Sequence, residues 1–184
     1  MPSYSSSPFD RVVVVGSSCA GKTTLASRIA ELRGCKHIEL DALHWLPDWV
    51  ERPVEEFRAL TERAVADDFW VLDGNYSRTR DLVWSRATAV VWLNYSFPRV
   101  FSRALWRTAR RVAQREELYS GNRETLRRSL FDRESILWWV ISTHRRRRRE
   151  YLKLFRENSF SQARFIELRR AREADELLES LRDD

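Results

Sequence analysis

Short apolar runs alternate with amphipathic stretches along the chain, and this alternation predicts strands separated by helices. The predicted strands cover residues 11–15, 36–40, 69–72, 88–93 and 163–168. The first run is rich in valine, as is typical of strands that are buried on both faces. Strands that alternate with helices indicate an α/β fold with a parallel sheet between two helical layers. We therefore predict a three-layer domain with five parallel strands.

The first predicted strand leads directly into a sequence of the form G-x-x-x-x-G-K-T, which is typical of a phosphate-binding loop. Its glycines let the backbone turn tightly and approach an anion closely. Its lysine supplies a charge for the β- and γ-phosphates, and its threonine hydroxyl is suited to hold Mg²⁺. The alternative is a chance match, which the flanking strand and helix argue against. The predicted nucleotide-binding residues are Gly16, Ser17, Ser18, Cys19, Ala20, Gly21, Lys22, Thr23 and Thr24.

Two aspartates follow the next two predicted strands, and the carboxyl ends of parallel strands should bring them together with the phosphate loop in one cleft. Asp73 ends an apolar run, a pattern typical of a carboxylate that holds Mg²⁺ through water. Asp41 is expected to end the strand beside the phosphate loop, where it can orient an acceptor hydroxyl or take its proton. For both aspartates the alternative is a capping role in the following turn.

A segment over about residues 41–67, rich in tryptophan and proline at its start, is predicted to bind the acceptor. His44 and Trp45 lie beside Asp41, and an aromatic ring there can stack on a substrate ring. Trp45 and Trp49 can equally form the packed interior of this segment. The sequence leaves that choice open.

Length and composition indicate a single globular domain. The chain has 184 residues, of which 43% are hydrophobic, enough for one core. Residues 1–9 are predicted to be a loose tail that lacks the features of a signal peptide, and no apolar run reaches the ~18 residues of a membrane span. Two cysteines, Cys19 and Cys35, favour a reducing, cytoplasmic location. The chain has no zinc-site motif.

Positive charge is concentrated in one part of the chain. Residues 99–149 contain 15 arginines and 5 acidic residues, a local balance of +10 in a chain with a net charge of +6. Arginine makes paired hydrogen bonds to phosphate and stays charged when partly buried. The segment suits an anionic small molecule, with nucleic acid as the alternative partner. Most of the run Arg145–Arg149 is expected to face solvent, with one or two side chains reaching the cleft, because five successive residues span more than one helical turn.

Three motifs together resemble the nucleotide-kinase branch of the P-loop proteins, which includes adenylate kinase, shikimate kinase and gluconate kinase. The phosphate loop is followed by Asp41-Ala-Leu-His-Trp45 and by Trp70-Val-Leu-Asp-Gly-Asn-Tyr76. This combination is most similar to a bacterial group of adenylate-kinase-related proteins known as topology modulation proteins. The resemblance spans nearly the whole chain and implies a P-loop NTPase fold that uses ATP and Mg²⁺.

The resemblance also implies an arginine-rich helical lid over about residues 103–128. Arg103 and Arg107 match the Arg-x-x-x-Arg at the start of the adenylate kinase lid and are predicted to bind the nucleotide and clamp its γ-phosphate. Helical spacing places Arg99, Arg103, Arg107 and Arg110 on one stripe of this helix, beside a packing stripe of Val100, Ala104, Thr108 and Val112. Arg123 is a further catalytic candidate from the lid tip. Arg169 follows the fifth strand, where related kinases place their adenine-binding loop.

One departure from adenylate kinase concerns the acceptor. Adenylate kinases have Asp-Gly-Phe-Pro-Arg where this chain has Asp73-Gly74-Asn75-Tyr76-Ser77. The arginine that binds AMP is therefore missing, although Arg78 or Arg80 can replace it with a shift in position. AMP is consequently not the expected acceptor.

The sequence predicts ATP- and Mg²⁺-dependent phosphoryl transfer to a small-molecule hydroxyl or phosphate acceptor, by a monomer or homodimer away from membranes. Two alternatives belong to other classes. One is a nucleic-acid-related P-loop protein, either a polynucleotide kinase or a DNA-binding ATPase. The other is a nucleotide-binding switch without turnover.

Overall fold

A computed structural model describes residues 7–114, 136–157, 160 and 162–182. Its strands are β1 (Arg11–Gly16), β2 (Lys36–Glu39), β3 (Trp70–Asp73), β4 (Ala89–Leu93) and β5 (Arg164–Leu168). The helices of the described part are α1 (Lys22–Arg33), α2 (Leu40–His44), α3 (Val54–Ala64), α4 (Arg80–Trp84), α5 (Phe97–Gln114), α6 (Ile136–Glu157) and α7 (Ala171–Ser180). Short 3₁₀ turns lie at Pro47–Trp49 and Ser77–Thr79.

The five strands form one parallel sheet in the order β2-β3-β1-β4-β5. The predicted α/β architecture with five parallel strands is confirmed. β1 lies at the centre, and each residue from Val12 to Val15 is at most 1% exposed. The chain that leaves β1 therefore emerges at the middle of the carboxyl edge, where parallel α/β sheets bind their ligands.

The core has two halves because successive side chains of β1 point to opposite faces of the sheet. Val12 and Val14 belong to a cluster that includes Ala26 and Ile29 of α1, Val100 and Ala104 of α5, and Leu178 of α7. Val13 and Val15 belong to the other cluster, with Phe57 of α3, Trp84 of α4 and Tyr151 of α6. Helices thus cover both faces, as the apolar character of β1 predicts.

α5 has the two stripes that its sequence predicts. Val100, Ala104 and Thr108 are at most 1% exposed, whereas Arg99 and Arg103 on the adjoining stripe are exposed. Residues 103–114 of the predicted lid continue this helix, and residues 115–128 lie outside the described part. Within the described part, no helix is both long and apolar enough to cross a membrane.

Three predicted boundaries were wrong. β2 ends at Glu39 and α2 begins at Leu40. The strand is therefore shorter than predicted, and Asp41 lies in a helical turn. Phe69 precedes β3 and is 49% exposed, because it lies outside the buried part of the sheet. Phe9 is buried in the core, so the loose tail predicted for residues 1–9 does not extend that far.

Candidate functional site

The phosphate loop connects β1 to α1 at the centre of the carboxyl edge. Gly16 has a φ angle of +149°, and a Cβ on it would lie 2.8 Å from the Leu93 carbonyl oxygen. Gly21 has a φ angle of +99°, and its Cβ would lie 2.9 Å from the Arg103 guanidinium. Only glycine fits these two positions without strain. Gly21 is also the N-cap of α1, so the positive end of this 12-residue helix adjoins the loop and favours an anion there.

Lys22 begins α1 and lies among charged side chains from four other elements. Burial lowers the pKa of its ammonium group, whereas the negative charges of Asp73 and Asp41 raise it. The cations Arg147 and Arg107 are near enough to lower the pKa of Lys22 further. The fold therefore gathers Lys22, Asp41, Asp73 and Arg107 in one cleft, as the sequence predicts.

Asp73 ends β3, the strand directly beside β1, and is 3% exposed. Its Oδ1 accepts a hydrogen bond of 3.3 Å from the Thr23 hydroxyl. Its Oδ2 lies 2.9 Å from Nε2 of His37 on β2. A hydroxyl and a carboxylate this close, next to a phosphate loop, are a donor set that suits Mg²⁺. His37 was not singled out from the sequence, where it reads as an ordinary strand residue.

Asp41 lies in the first turn of α2, and its Oδ1 accepts a hydrogen bond of 2.6 Å from the Tyr76 hydroxyl. The expectation that its strand neighbours the phosphate-loop strand was wrong, because β3 lies between β2 and β1. Asp41 is nevertheless close enough to affect the pKa of Lys22. The hydrogen bond from Tyr76 fixes one carboxylate oxygen of Asp41.

His44 is 3% exposed and is surrounded by aromatic rings. Its ring centroid lies 4.8 Å from that of Trp45, 5.0 Å from that of Phe57 and 4.5 Å from that of Tyr76. Burial lowers the pKa of His44, so the imidazole is neutral near pH 7. Trp45 in turn packs edge to face on Trp49, with centroids 5.6 Å apart. These contacts favour the interior role that the sequence left open for Trp45.

Two arginines near the phosphates carry predicted roles. The guanidinium of Arg103 lies over Gly21, as the distance from a Cβ built there shows. Arg107 is partly buried, and its Nε is buried without a hydrogen-bond partner among the described residues. A buried donor without a partner costs free energy unless a ligand satisfies it. Both side chains are therefore placed to meet an anion above the phosphate loop.

Other predicted residues lie elsewhere or cannot be placed. Nη1 of Arg78 lies 3.4 Å from a carboxylate oxygen of Glu51, at the surface. Arg169 donates two hydrogen bonds of 3.0 Å to Glu167, and no described contact joins it to the phosphate loop. Arg123 lies outside the described residues.

Arg147 is the member of the Arg145–Arg149 run that reaches the cleft. It is partly buried, whereas the other four residues of the run are exposed. Burial lowers the pKa of Arg147, and the charge of Asp41 raises it. Its place follows from helical spacing, since Val140, His144 and Tyr151 on the same face of α6 are all buried. The sequence contains this spacing, but five consecutive arginines do not by themselves indicate which one faces the cleft.

Among the residues that the structure describes, the cleft carries more positive than negative charge. Its charged groups there are four cations and two carboxylates, namely Lys22, Arg103, Arg107, Arg147, Asp41 and Asp73. Because several of these groups are partly buried, their fields are weakly screened by water. The arrangement can bind a polyphosphate and stabilise negative charge that moves between its oxygens.

The sheet order and the phosphate loop define a P-loop kinase fold, and the similarity to one solved structure supports this fold. No family model and no curated protein matches the sequence. Among solved structures, the chain is similar to a gluconokinase from Sinorhizobium meliloti 1021, with 20% identity, coverage of 95% of each chain and a TM-score of 0.52. It is also similar to a sugar kinase from Janibacter sp. HTCC2649, with 19% identity, coverage of 94% of this chain and 89% of that one, and a TM-score of 0.47. The chain therefore has the P-loop kinase fold, while the narrower resemblance to topology modulation proteins stays a prediction.

Proposed function

We propose that the protein is an ATP- and Mg²⁺-dependent kinase that phosphorylates a hydroxyl group of a small molecule. The observation that carries the proposal is the position of Asp41, which Tyr76 holds close to Lys22. The similarity to a gluconokinase supports the fold on which such a reaction can run. The contacts around the phosphate loop support the individual roles.

The nucleotide side of the cleft consists of the phosphate loop and three cations. Lys22, Arg103 and Arg107 bind the phosphate oxygens and stabilise the charge that develops during transfer. The Thr23 hydroxyl and, through water, the Asp73 carboxylate are the groups that would hold Mg²⁺. Bound there, Mg²⁺ would neutralise charge on the β- and γ-phosphates.

The acceptor side of the cleft favours an alcohol over a phosphate. A phosphate acceptor would bring its negative charge against the carboxylate of Asp41, and such repulsion is strong in a partly buried site. An alcohol instead donates a hydrogen bond to Asp41 and gives up its proton to it. The alcohol oxygen then forms a bond to the γ-phosphorus as the bond from that phosphorus to the ADP oxygen breaks.

A nucleic-acid-related activity is the second candidate, because four arginines of α6 face solvent. Arg145, Arg146, Arg148 and Arg149 are exposed, so their charges are accessible to the phosphates of a nucleic acid. In this case the phosphorylated hydroxyl would be the end of a nucleic-acid strand. A small-molecule screen that includes oligonucleotides distinguishes the two candidates.

The function is tested by Asp41→Asn, with the exposed aspartate Asp48 of the same segment as the matched control. Asp41→Asn should leave the Kd for Mg·ATP within a few-fold of wild type and lower acceptor-dependent turnover by ~10²–10⁴. Asp48→Asn should leave both quantities unchanged. Calorimetry and a coupled turnover assay on the same preparations give the two quantities. Unchanged turnover in Asp41→Asn would mean that Asp41 only caps the following turn. Lost ATP affinity would mean that Asp41 binds the metal.

A further inference from the structure

A side chain from another loop binds the backbone of Gly16, the first residue of the phosphate loop. The Gly16 N–H donates to Oδ1 of Asn75 at 3.1 Å, and Nδ2 of Asn75 donates to the Gly16 carbonyl oxygen at 2.6 Å. Both backbone groups of Gly16 are thus bound by one amide. A primary amide that pairs with a backbone N–H and C=O reproduces the hydrogen bonding of a neighbouring strand.

This pairing extends the contact between β1 and β3 beyond the last backbone hydrogen bond. That last bond runs from the Gly74 N–H to the Val14 carbonyl oxygen at 3.4 Å. On its other side, Gly16 lies against Leu93 of β4, so closely that even a Cβ would not fit. Gly16 is therefore fixed between Leu93 and Asn75, at the point where the chain leaves the sheet and begins the loop.

A third group fixes the orientation of the Asn75 amide. The Tyr151 hydroxyl of α6 donates to Oδ1 of Asn75 at 2.8 Å. Burial raises the pKa of Tyr151 to about 12, so this hydroxyl keeps its proton at every physiological pH. Because Oδ1 accepts from both Tyr151 and the Gly16 N–H, the amide nitrogen is left to face the Gly16 carbonyl oxygen.

We infer that Asn75 and Tyr151 are positioning residues, which hold the phosphate loop in its nucleotide-binding conformation and connect it to α6. The inference rests on the proposed function, because that function identifies the bound nucleotide as ATP. Tyr151 lies four residues after Arg147, on the same face of α6. A movement of α6 that withdraws Arg147 from the cleft would therefore also withdraw the Tyr151 hydroxyl from Asn75. Loop geometry and the position of the cleft arginine are thus coupled through one helix.

The opposite end of β1 offers a matched control. There, the Arg11 N–H donates to the Thr88 hydroxyl at 2.9 Å, and that hydroxyl donates to the Arg11 carbonyl oxygen at 3.1 Å. One side chain again holds both backbone groups of a β1 residue, but far from the phosphate loop. Thr88→Val removes these two hydrogen bonds and keeps the size of the side chain.

The experiment compares Asn75→Leu, Tyr151→Phe and Thr88→Val by thermal unfolding, by calorimetry with Mg·ATP and by amide exchange. We expect all three to lower the melting temperature. The Kd for Mg·ATP should rise about tenfold or more in Asn75→Leu, which loses three hydrogen bonds, and about threefold in Tyr151→Phe, which loses the one to Asn75. It should stay within about twofold of wild type in Thr88→Val. Tyr151→Phe removes one hydroxyl only and serves as the test if Asn75→Leu does not fold.

Amide exchange separates this inference from the proposed function. The chain has five glycines, so ¹⁵N-glycine labelling makes the Gly16 amide easy to follow by NMR. Its exchange should be faster in Asn75→Leu and Tyr151→Phe than in wild type or Thr88→Val. Unchanged Gly16 exchange, or Kd values equal to that of Thr88→Val, would overturn the inference. Wild-type protein that does not bind Mg·ATP would contradict the proposed function, and Gly16 exchange would still decide whether the loop is held.

Discussion

Replacement of Arg147 by glutamine should impair phosphoryl transfer far more than replacement of the other four arginines of its run together. Arg147 is partly buried beside Lys22 and Asp41, whereas Arg145, Arg146, Arg148 and Arg149 are exposed. Exposed charges are screened and contribute little to a site at a distance. Because all five residues are arginines, a difference in turnover between the two variants reflects the position of the side chains and not their chemistry.

The magnitude follows from the surroundings of Arg147. Its pKa is lowered because burial outweighs the attraction of nearby negative groups. An anion that binds in the cleft would lie close to this partly buried charge. Loss of one preorganised group that stabilises transition-state charge lowers kcat by ~10²–10³, or about 2.7–4 kcal/mol.

The assay measures kcat and KM for ATP with a fixed acceptor, together with the melting temperature of each variant. Arg147→Gln should lower kcat by ~10²–10³, and the variant with glutamine at the other four positions should stay within about threefold of wild type. Equal losses in the two variants, or wild-type kcat in Arg147→Gln, would refute the assignment of Arg147 to the cleft. The four-position variant should also bind polyanions less tightly and with a smaller salt dependence.

Two further predictions concern Lys22 and His44. Lys22→Ala should abolish turnover and weaken Mg·ATP binding measured by calorimetry, because this lysine begins α1 beside the phosphate loop; wild-type turnover would refute the phosphate-loop assignment. His44 has a folded-state pKa below its ordinary value of 6.5 because of burial, so the unfolded chain takes up a proton first as the pH falls. Its contribution to the free energy of unfolding is complete above pH 6.5 and decreases below it. Urea unfolding between pH 5 and pH 7 should therefore show a smaller pH dependence in His44→Gln than in wild type, and equal slopes would contradict this reading.

The fold was predictable because its signals are local. The valines of β1 mark a strand that is buried on both faces, and the glycines at positions 16 and 21 meet steric demands that only glycine satisfies. The alternation of strands and helices then leaves little choice but a parallel sheet. Asp73 and Thr23 could be paired from sequence since both follow buried strands that end at the same edge.

The order of the strands and the orientation of α6 were not predictable in the same way. No local sequence pattern indicates that β3 lies between β2 and β1. The strand before Asp41 was therefore wrongly predicted to lie directly beside β1. Arg147 depends on the rotation of α6 against the sheet, which its buried neighbours His144 and Tyr151 set. Asn75 belonged to a recognised motif, but its contacts with Gly16 join residues 59 positions apart. Such contacts arise only when the sheet is assembled.

We propose above that the cleft transfers a phosphoryl group from ATP to an alcohol. The most direct test is incubation of the wild-type protein with Mg·ATP and a panel of polyols, sugar acids, nucleosides, nucleotides and oligonucleotides, followed by ³¹P NMR of the products. We expect equal amounts of ADP and of a phosphate ester on a carbon-bound hydroxyl of a small molecule, with neither product formed by Lys22→Ala. Phosphorylation of a nucleotide phosphate instead, or no acceptor-dependent formation of ADP with any compound, would contradict it.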